Sequence, residues 1–300
     1  MTDNSRSWRD RAIQLYDAFT HEHRDRRALL RDMVALTGSV AAAEVLIAGI
    51  AAAPAAAAIT DAADPTLDIA KEAYGIGPGK QLTGYFASPK GKTNLGSVIV
   101  FHENRGLTAH IEDVARRFAL AGFRAVAPDF LSDQGGTPDT TNAKGEDKAR
   151  EMIGKADLAA ITSEAVATIG AMRARPGGNG KVAIVGFCWG GALVNRVAVA
   201  AGDALAAGVA YYGPAPDPAE AAQVAAPLLL HYAGKDTRVA ATGGPWVAAL
   251  KAAGKDVTDY TYEGVDHAFN NDTSAERYNA AAALLAWDRT IAFLHAHLDG

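Results

Sequence analysis

Cysteine is nearly absent from this chain: position 188 holds the single one in 300 residues. An intramolecular disulfide framework is therefore excluded, and so is a Cys-rich zinc site. An excess of basic charge is missing too, since 29 Lys and Arg face 34 Asp and Glu for a net charge of −5. That balance excludes the strongly cationic surface on which general nucleic-acid binding depends. No apolar run beyond residue 64 is long enough to span a bilayer, so the mature domain is expected to be soluble, with no membrane partner. What the chain has in quantity is apolar residues, 49% of the total, against 21% charged. Such a composition supports a sizeable core and excludes wholesale disorder. No repeat of 20–50 residues is present, and the Ala-rich leader is the one low-complexity tract.

Residues 1–64 differ from the rest. A paired arginine, Arg26-Arg27, stands ahead of Leu29-Leu30 and an Ala-rich stretch from Met33 to Ile59. This pattern resembles a twin-arginine export leader, and Ala55 to Ala58 would supply the small residues a signal peptidase needs. Asp32 and Glu44 interrupt the run, and charge there weakens membrane engagement. The same residues also read as a retained amphipathic helical hairpin, punctuated by Gly38 and Pro54. The first reading implies an exported, periplasmic protein and the second a cytoplasmic one.

Residues 65–300 alternate between strand-like and helix-like segments. β-rich runs lie at 82–86, 97–101, 124–127, 182–185, 208–212, 228–232 and 257–262. Helical patterns lie near 110–121, 146–173, 190–201, 242–253 and 275–298. Several of the strand runs are apolar throughout, which a sheet buried on both faces requires. The alternation predicts an α/β domain with a mostly parallel sheet flanked by helices, preceded by the N-terminal helical extension. In such sheets ligands bind beyond the carboxyl ends of the strands. The Gly- and Asp-rich stretch from Ser132 to Asp147 reads as a long surface loop, either bordering a pocket or connecting two elements.

The strongest chemical signal is Gly186-Phe187-Cys188-Trp189-Gly190-Gly191, which follows an apolar strand and precedes a helix. This is the setting of a nucleophile elbow, with Cys where Ser is usual. A tight turn holds the nucleophile in a strained conformation, and only small neighbours fit two residues to either side. A thiol so placed sits at a helix N-terminus, where N–H groups and the helix dipole favour the thiolate. Candidate partners follow in the order acid, then base. Asp236 lies just after the run Leu228–Tyr232, and His267 after the run ending near Tyr262. His267 can take the thiol proton and return it to a leaving group, and Asp236 can fix the tautomer. Asp236 could instead cap a helix, and Asp266 is the alternative acid. Among the other histidines, His21, His23, His295 and His297 sit in terminal segments, His102 and His110 come too early in chain order, and His231 lies inside a strand.

These residues, with His102-Glu103-Asn104-Arg105-Gly106-Leu107, Gly234-Lys235-Asp236 and Asp266-His267-Ala268-Phe269, resemble the dienelactone hydrolase family of α/β-hydrolases. The resemblance covers roughly residues 80–298 and points to the subgroup carrying a twin-arginine-like leader. It implies a small-molecule ester or lactone substrate, a Cys–His–Asp triad and a carboxylate near the thiol, which Glu103 matches. On the residues alone, the alternative for Glu103 is half of a structural salt bridge with Arg105. The resemblance also implies an oxyanion hole from the backbone N–H groups of Trp189 and Asn104, and arginines that hold a substrate carboxylate. Arg105 and Arg238, beside Glu103 and Asp236, are the candidates. Tyr211 and Tyr212, at a strand end, line the pocket or pack the core. The sequence departs from the family pattern at Asn104-Arg105, where apolar residues are frequent.

No metal and no cofactor is expected. His102-Glu103 lacks a second His at the zinc-binding spacing, since residue 106 is Gly. The glycines at 75, 77 and 79 precede a strand rather than linking one to a helix, and Gly91-Lys92-Thr93 lacks the upstream glycine of a phosphate loop. The expected function is a cysteine-dependent hydrolase of small esters or lactones that works through a thioester acyl-enzyme. A general carboxylesterase or thioesterase, or a non-catalytic ligand-binding protein on the same fold, are the alternatives.

Overall fold

The structure, a computed structural model, describes residues 3–21, 25–50 and 59–299. Eight strands form one sheet in the order β1-β2-β4-β3-β5-β6-β7-β8. They are β1 (Leu67–Gly77), β2 (Lys80–Pro89), β3 (Leu95–Phe101), β4 (Arg124–Asp129), β5 (Gly178–Phe187), β6 (Ala207–Tyr211), β7 (Leu228–Ala233) and β8 (Val257–Tyr262). From β4 through β8 every pairing is parallel, while β2 runs antiparallel to both β1 and β4.

The apolar runs explain the layering. In β3, Val98 and Val100 join one buried cluster while Ile99 and Phe101 join the other. Successive side chains of a strand point to opposite faces, so a strand buried on both sides has to be apolar at every position. Helices α4 (Ala109–Leu120) and α9 (Ala280–Leu298) supply Val114, Phe118, Ala286 and Leu294 to the first cluster. Helices α6 (Leu158–Ala174), α7 (Trp189–Ala200) and α8 (Thr237–Ala252) supply Ile169, Leu193, Trp246 and Leu250 to the second. Each such aliphatic side chain stabilises the fold by about 1.5–3 kcal/mol relative to exposure.

Several elements differ from the sequence expectation. Strand β1 was not anticipated, because its residues are mostly exposed, edge-strand residues with little apolar alternation. The helical pattern over 146–173 is two helices, α5 (Ala143–Lys155) and α6, because Asp157 accepts from the N–H groups of Ala159 and Ala160 and starts a new helix. The last helix begins at Ala280, after Asn279 caps the N–H of Ala282.

The N-terminal segment folds as α1 (Asp3–His21), α2 (Arg26–Thr37) and α3 (Val40–Ile50). Ala12, Ile13, Tyr16, Phe19, Leu29, Met33, Ala43 and Ile50 make a core of their own. Gly38, at φ +81°, closes α2, which is the punctuation expected there. No single helix among the described residues is long and apolar enough to cross a membrane; α2 and α3 would qualify only together, and they are bent by 111°. The candidate cleavage residues Ala55 to Ala58 lie outside the described residues, as do the side chains of His21 and His23.

Candidate active site

The elbow forms where expected. Cys188 ends the central strand β5, stands at the N-cap of α7, and has φ +56° and ψ −112°. This backbone is costly for a residue with a Cβ, so the fold around it has to hold it there. The flanking glycines do so by close approach. A Cβ on Gly186 would lie 2.1 Å from the carbonyl oxygen of Gly190, and one on Gly190 would lie 2.4 Å from that of Phe101. Both contacts are backbone, which cannot move aside.

Asp236 follows β7 and His267 follows β8, so the two reach the rim where β5 ends. The Cys188 Sγ lies 3.1 Å from His267 Nε2, and His267 Nδ1 lies 2.5 Å from Asp236 Oδ2. The second carboxylate oxygen of Asp236 accepts from the N–H of Val239, so this residue is both a helix cap and the partner of the imidazole. Asp266 points elsewhere, within 3.8 Å of Lys235 Nζ. Tyr212 sits edge-on behind the His267 ring, with centroids 5.0 Å apart, and is fully buried. It backs the imidazole rather than facing the cavity described below.

The electrostatics follow from burial and pairing. Burial alone would lower the His267 pKa, but the Cys188 sulfur and the Asp236 carboxylate, both hydrogen-bonded to the ring, raise it to about 10. Burial would raise Asp236, but the His267 charge and hydrogen bond, with help from Arg238 and the Val239 N–H, hold it below the usual carboxylate range. An imidazolium between a sulfur and a carboxylate is thereby favoured. Burial lowers the pKa of His102, and its ring stacks on Trp189 with centroids 5.2 Å apart.

Glu103 and Asn104 follow β3, on the same rim. Glu103 does not bridge to Arg105; its Oε2 accepts from Asn271 Nδ2 at 2.8 Å. Arg105 is instead buried against α1 and α5, donating to the Tyr16 hydroxyl at 2.5 Å and standing 3.5 Å from Glu146. Among the described residues, neither the Asn104 N–H nor the Trp189 N–H makes a backbone hydrogen bond outside the regular helices and strands.

Cys188, Asn104, Trp189 and Arg238 line a cavity of about 660 Å³. That is within the range of small-molecule sites. Its apolar wall includes Phe19, Ile153, Leu158 and Ile161, and its polar wall includes Arg26, Asp147 and Arg150. Of the stretch from Ser132 to Asp147, expected as a loop, the residues from Ala143 onward belong to α5, and it is from that helix that Asp147 lines the cavity. Arg238 Nη2 is buried with no hydrogen-bond partner among the described residues. Sequence reasoning missed Asn271 and the contributors from α1, α2 and α5. Asn271 sits only four residues after His267, and that proximity was the available signal. The α1 residues carried none, because the segment resembled a leader. Among the described residues no group of His, Cys, Asp and Glu is placed to hold a metal.

A cysteine elbow on the central strand of a mostly parallel sheet, with an acid and a histidine on the next strand ends, defines an α/β-hydrolase. More narrowly, the chain belongs to the dienelactone hydrolase family, whose profile matches residues 82–298, and it is a hydrolase. A Yersinia pestis protein provisionally named carboxymethylenebutenolidase is 32% identical over 231 residues, spanning 73% of this chain and 85% of its own. A crystal structure from Klebsiella pneumoniae, provisionally identified as a dienelactone hydrolase, is 30% identical with a TM-score of 0.65 and covers 75% of this chain and 98% of its own. A thermostable esterase from Pseudomonas putida, 15% identical, shares the fold at a TM-score of 0.64 over 96% of this chain and 98% of its own. A likeness of that extent reaches into the N-terminal helices.

Proposed function

We propose that the protein hydrolyses small carboxylic esters or lactones, of the carboxymethylenebutenolidase type, with Cys188 as nucleophile. The observation that carries this is the pair of contacts on the His267 ring, Nε2 to Cys188 Sγ at 3.1 Å and Nδ1 to Asp236 Oδ2 at 2.5 Å. The thiolate attacks the acyl carbon, and the N–H groups of Asn104 and Trp189 receive the oxyanion. The imidazolium of His267 gives its proton to the departing alkoxide, leaving a thioester. Neutral His267 then takes a proton from water as the hydroxide adds, and the acid leaves as the proton returns to sulfur. Asp236 holds the ring and stabilises its charge. Glu103, on the same rim and fixed by Asn271, takes part in activating the resting thiol, as the family resemblance implies.

Arg238, with a buried and unpartnered Nη2 on the cavity wall, supports a substrate that carries its own carboxylate. Arg105 is a weaker candidate, because Tyr16 and Glu146 already occupy its guanidinium. The test compares dienelactone with p-nitrophenyl acetate, alongside stoichiometric iodoacetamide labelling. Turnover of both esters should vanish in Cys188→Ala and in labelled wild type. Undiminished turnover in either would refute the nucleophile.

A further inference from the structure

Three stretches lie at or beside the site: the loop after β3 and helix α5, which line the cavity with Cys188, and the loop after His267, which holds Glu103 through Asn271. Each is tied by side chains to residues 3–50. From the first, Asn104 Nδ2 donates to the Thr20 carbonyl at 3.3 Å and Arg105 donates to Tyr16. From α5, Asp147 pairs with Arg26 at 3.1 Å, and the Arg150 guanidinium lies 3.8 Å over the Phe19 ring. From the third, Arg277 donates to Asp17 at 3.2 Å, Ser274 donates to the Ile50 carbonyl at 2.7 Å, and the Glu276 N–H donates to the Gly49 carbonyl. Asp17 is deep enough that burial raises its pKa, although the charges on His267 and Arg277 oppose this.

A segment removed on export has no use for such a matched set of partners. The two residues that depart from the expected apolar pattern, Asn104 and Arg105, are the two that this loop spends on α1. The helices also build the site itself, since Phe19, Thr20, Asp25 and Arg26 line the cavity that holds Cys188. We propose that residues 3–50 are a retained cap of the active site, and that Phe19 on it limits the length of the acyl group that reaches the sulfur. The proposal rests on Cys188 being the nucleophile.

The full-length chain tests it. In Phe19→Ala, the ratio of kcat/KM for p-nitrophenyl octanoate to that for the acetate should rise by about tenfold or more, because each newly buried methylene contributes roughly fourfold. Phe19→Leu, which keeps an apolar contact and safeguards folding, should give a smaller rise in the same direction. An unchanged ratio in both folded variants overturns the cap. Intact-mass measurement of the active protein from its native host should show residues 3–50 present; full activity in a form that begins after residue 50 overturns it equally. Activity surviving in Cys188→Ala would instead sink the nucleophile, a separate outcome read on a separate variant.

Discussion

Asp236→Asn isolates what the buried carboxylate does for His267. The two side chains are 5% and 2% exposed, so neither is screened by solvent. Asparagine keeps the shape, and its oxygen can still accept from the Val239 N–H, so the cap of α8 survives. The other end now presents an NH2 group to Nδ1. The neutral ring must then carry its proton on Nε2, facing the sulfur, where it can no longer receive one. The lost charge is worth up to about 4 kcal/mol for unit charges about 4 Å apart at an effective dielectric of about 20, or as much as about three pH units at the imidazole. The basic limb of the kcat/KM profile, expected to follow the raised pKa of His267, should therefore move to lower pH. Turnover at neutral pH should fall on the order of 10³–10⁴-fold, with the melting temperature almost unchanged. The assay is ester hydrolysis across pH 5–11, with thermal melts of both proteins. A loss of less than about tenfold, or a basic limb that stays in place, would refute the reasoning.

Three other outcomes follow from the same geometry. Gly186→Ala drives a Cβ to 2.1 Å from a backbone carbonyl, so urea unfolding should show destabilisation of about 3 kcal/mol or more. His267, with its folded pKa raised from 6.5 to about 10, contributes stability that is complete below pH 6.5 and lost as pH climbs through 10; melts over that window should decline, and less steeply in His267→Gln. Arg238→Ala should raise KM for carboxylate-bearing substrates about 10- to 100-fold while leaving neutral esters unchanged, as steady-state kinetics on matched pairs would show.

Much of the candidate site was legible because its signals are local. The glycines around Cys188, the strand before it and the helix after it all fall within a short window, as do Asp236 and His267 beside their strands. What stayed hidden depends on contacts between distant segments. Nothing in Arg105 announces Tyr16, 89 positions away, and nothing in Glu103 announces Asn271, 168 away. Strand β1 was invisible for a related reason. At the edge of the sheet it needs no apolar alternation, and its place is set by register with β2. The N-terminal helices could be read two ways because an export leader and a packed hairpin draw on the same alanines and leucines. Periodicity does not separate the two.

Cys188 at φ +56° has a companion in Tyr212, at φ +39°, directly behind the histidine, and another in Ala268, at φ +64°, next to it. Three left-handed residues with side chains, each costing about 1–3 kcal/mol, crowd one corner of the molecule. That corner is a spring held shut by everything packed around it. The protein is thus less durable than its scaffold allows, and a glycine at position 188 would relieve the backbone strain there while removing the proposed nucleophile.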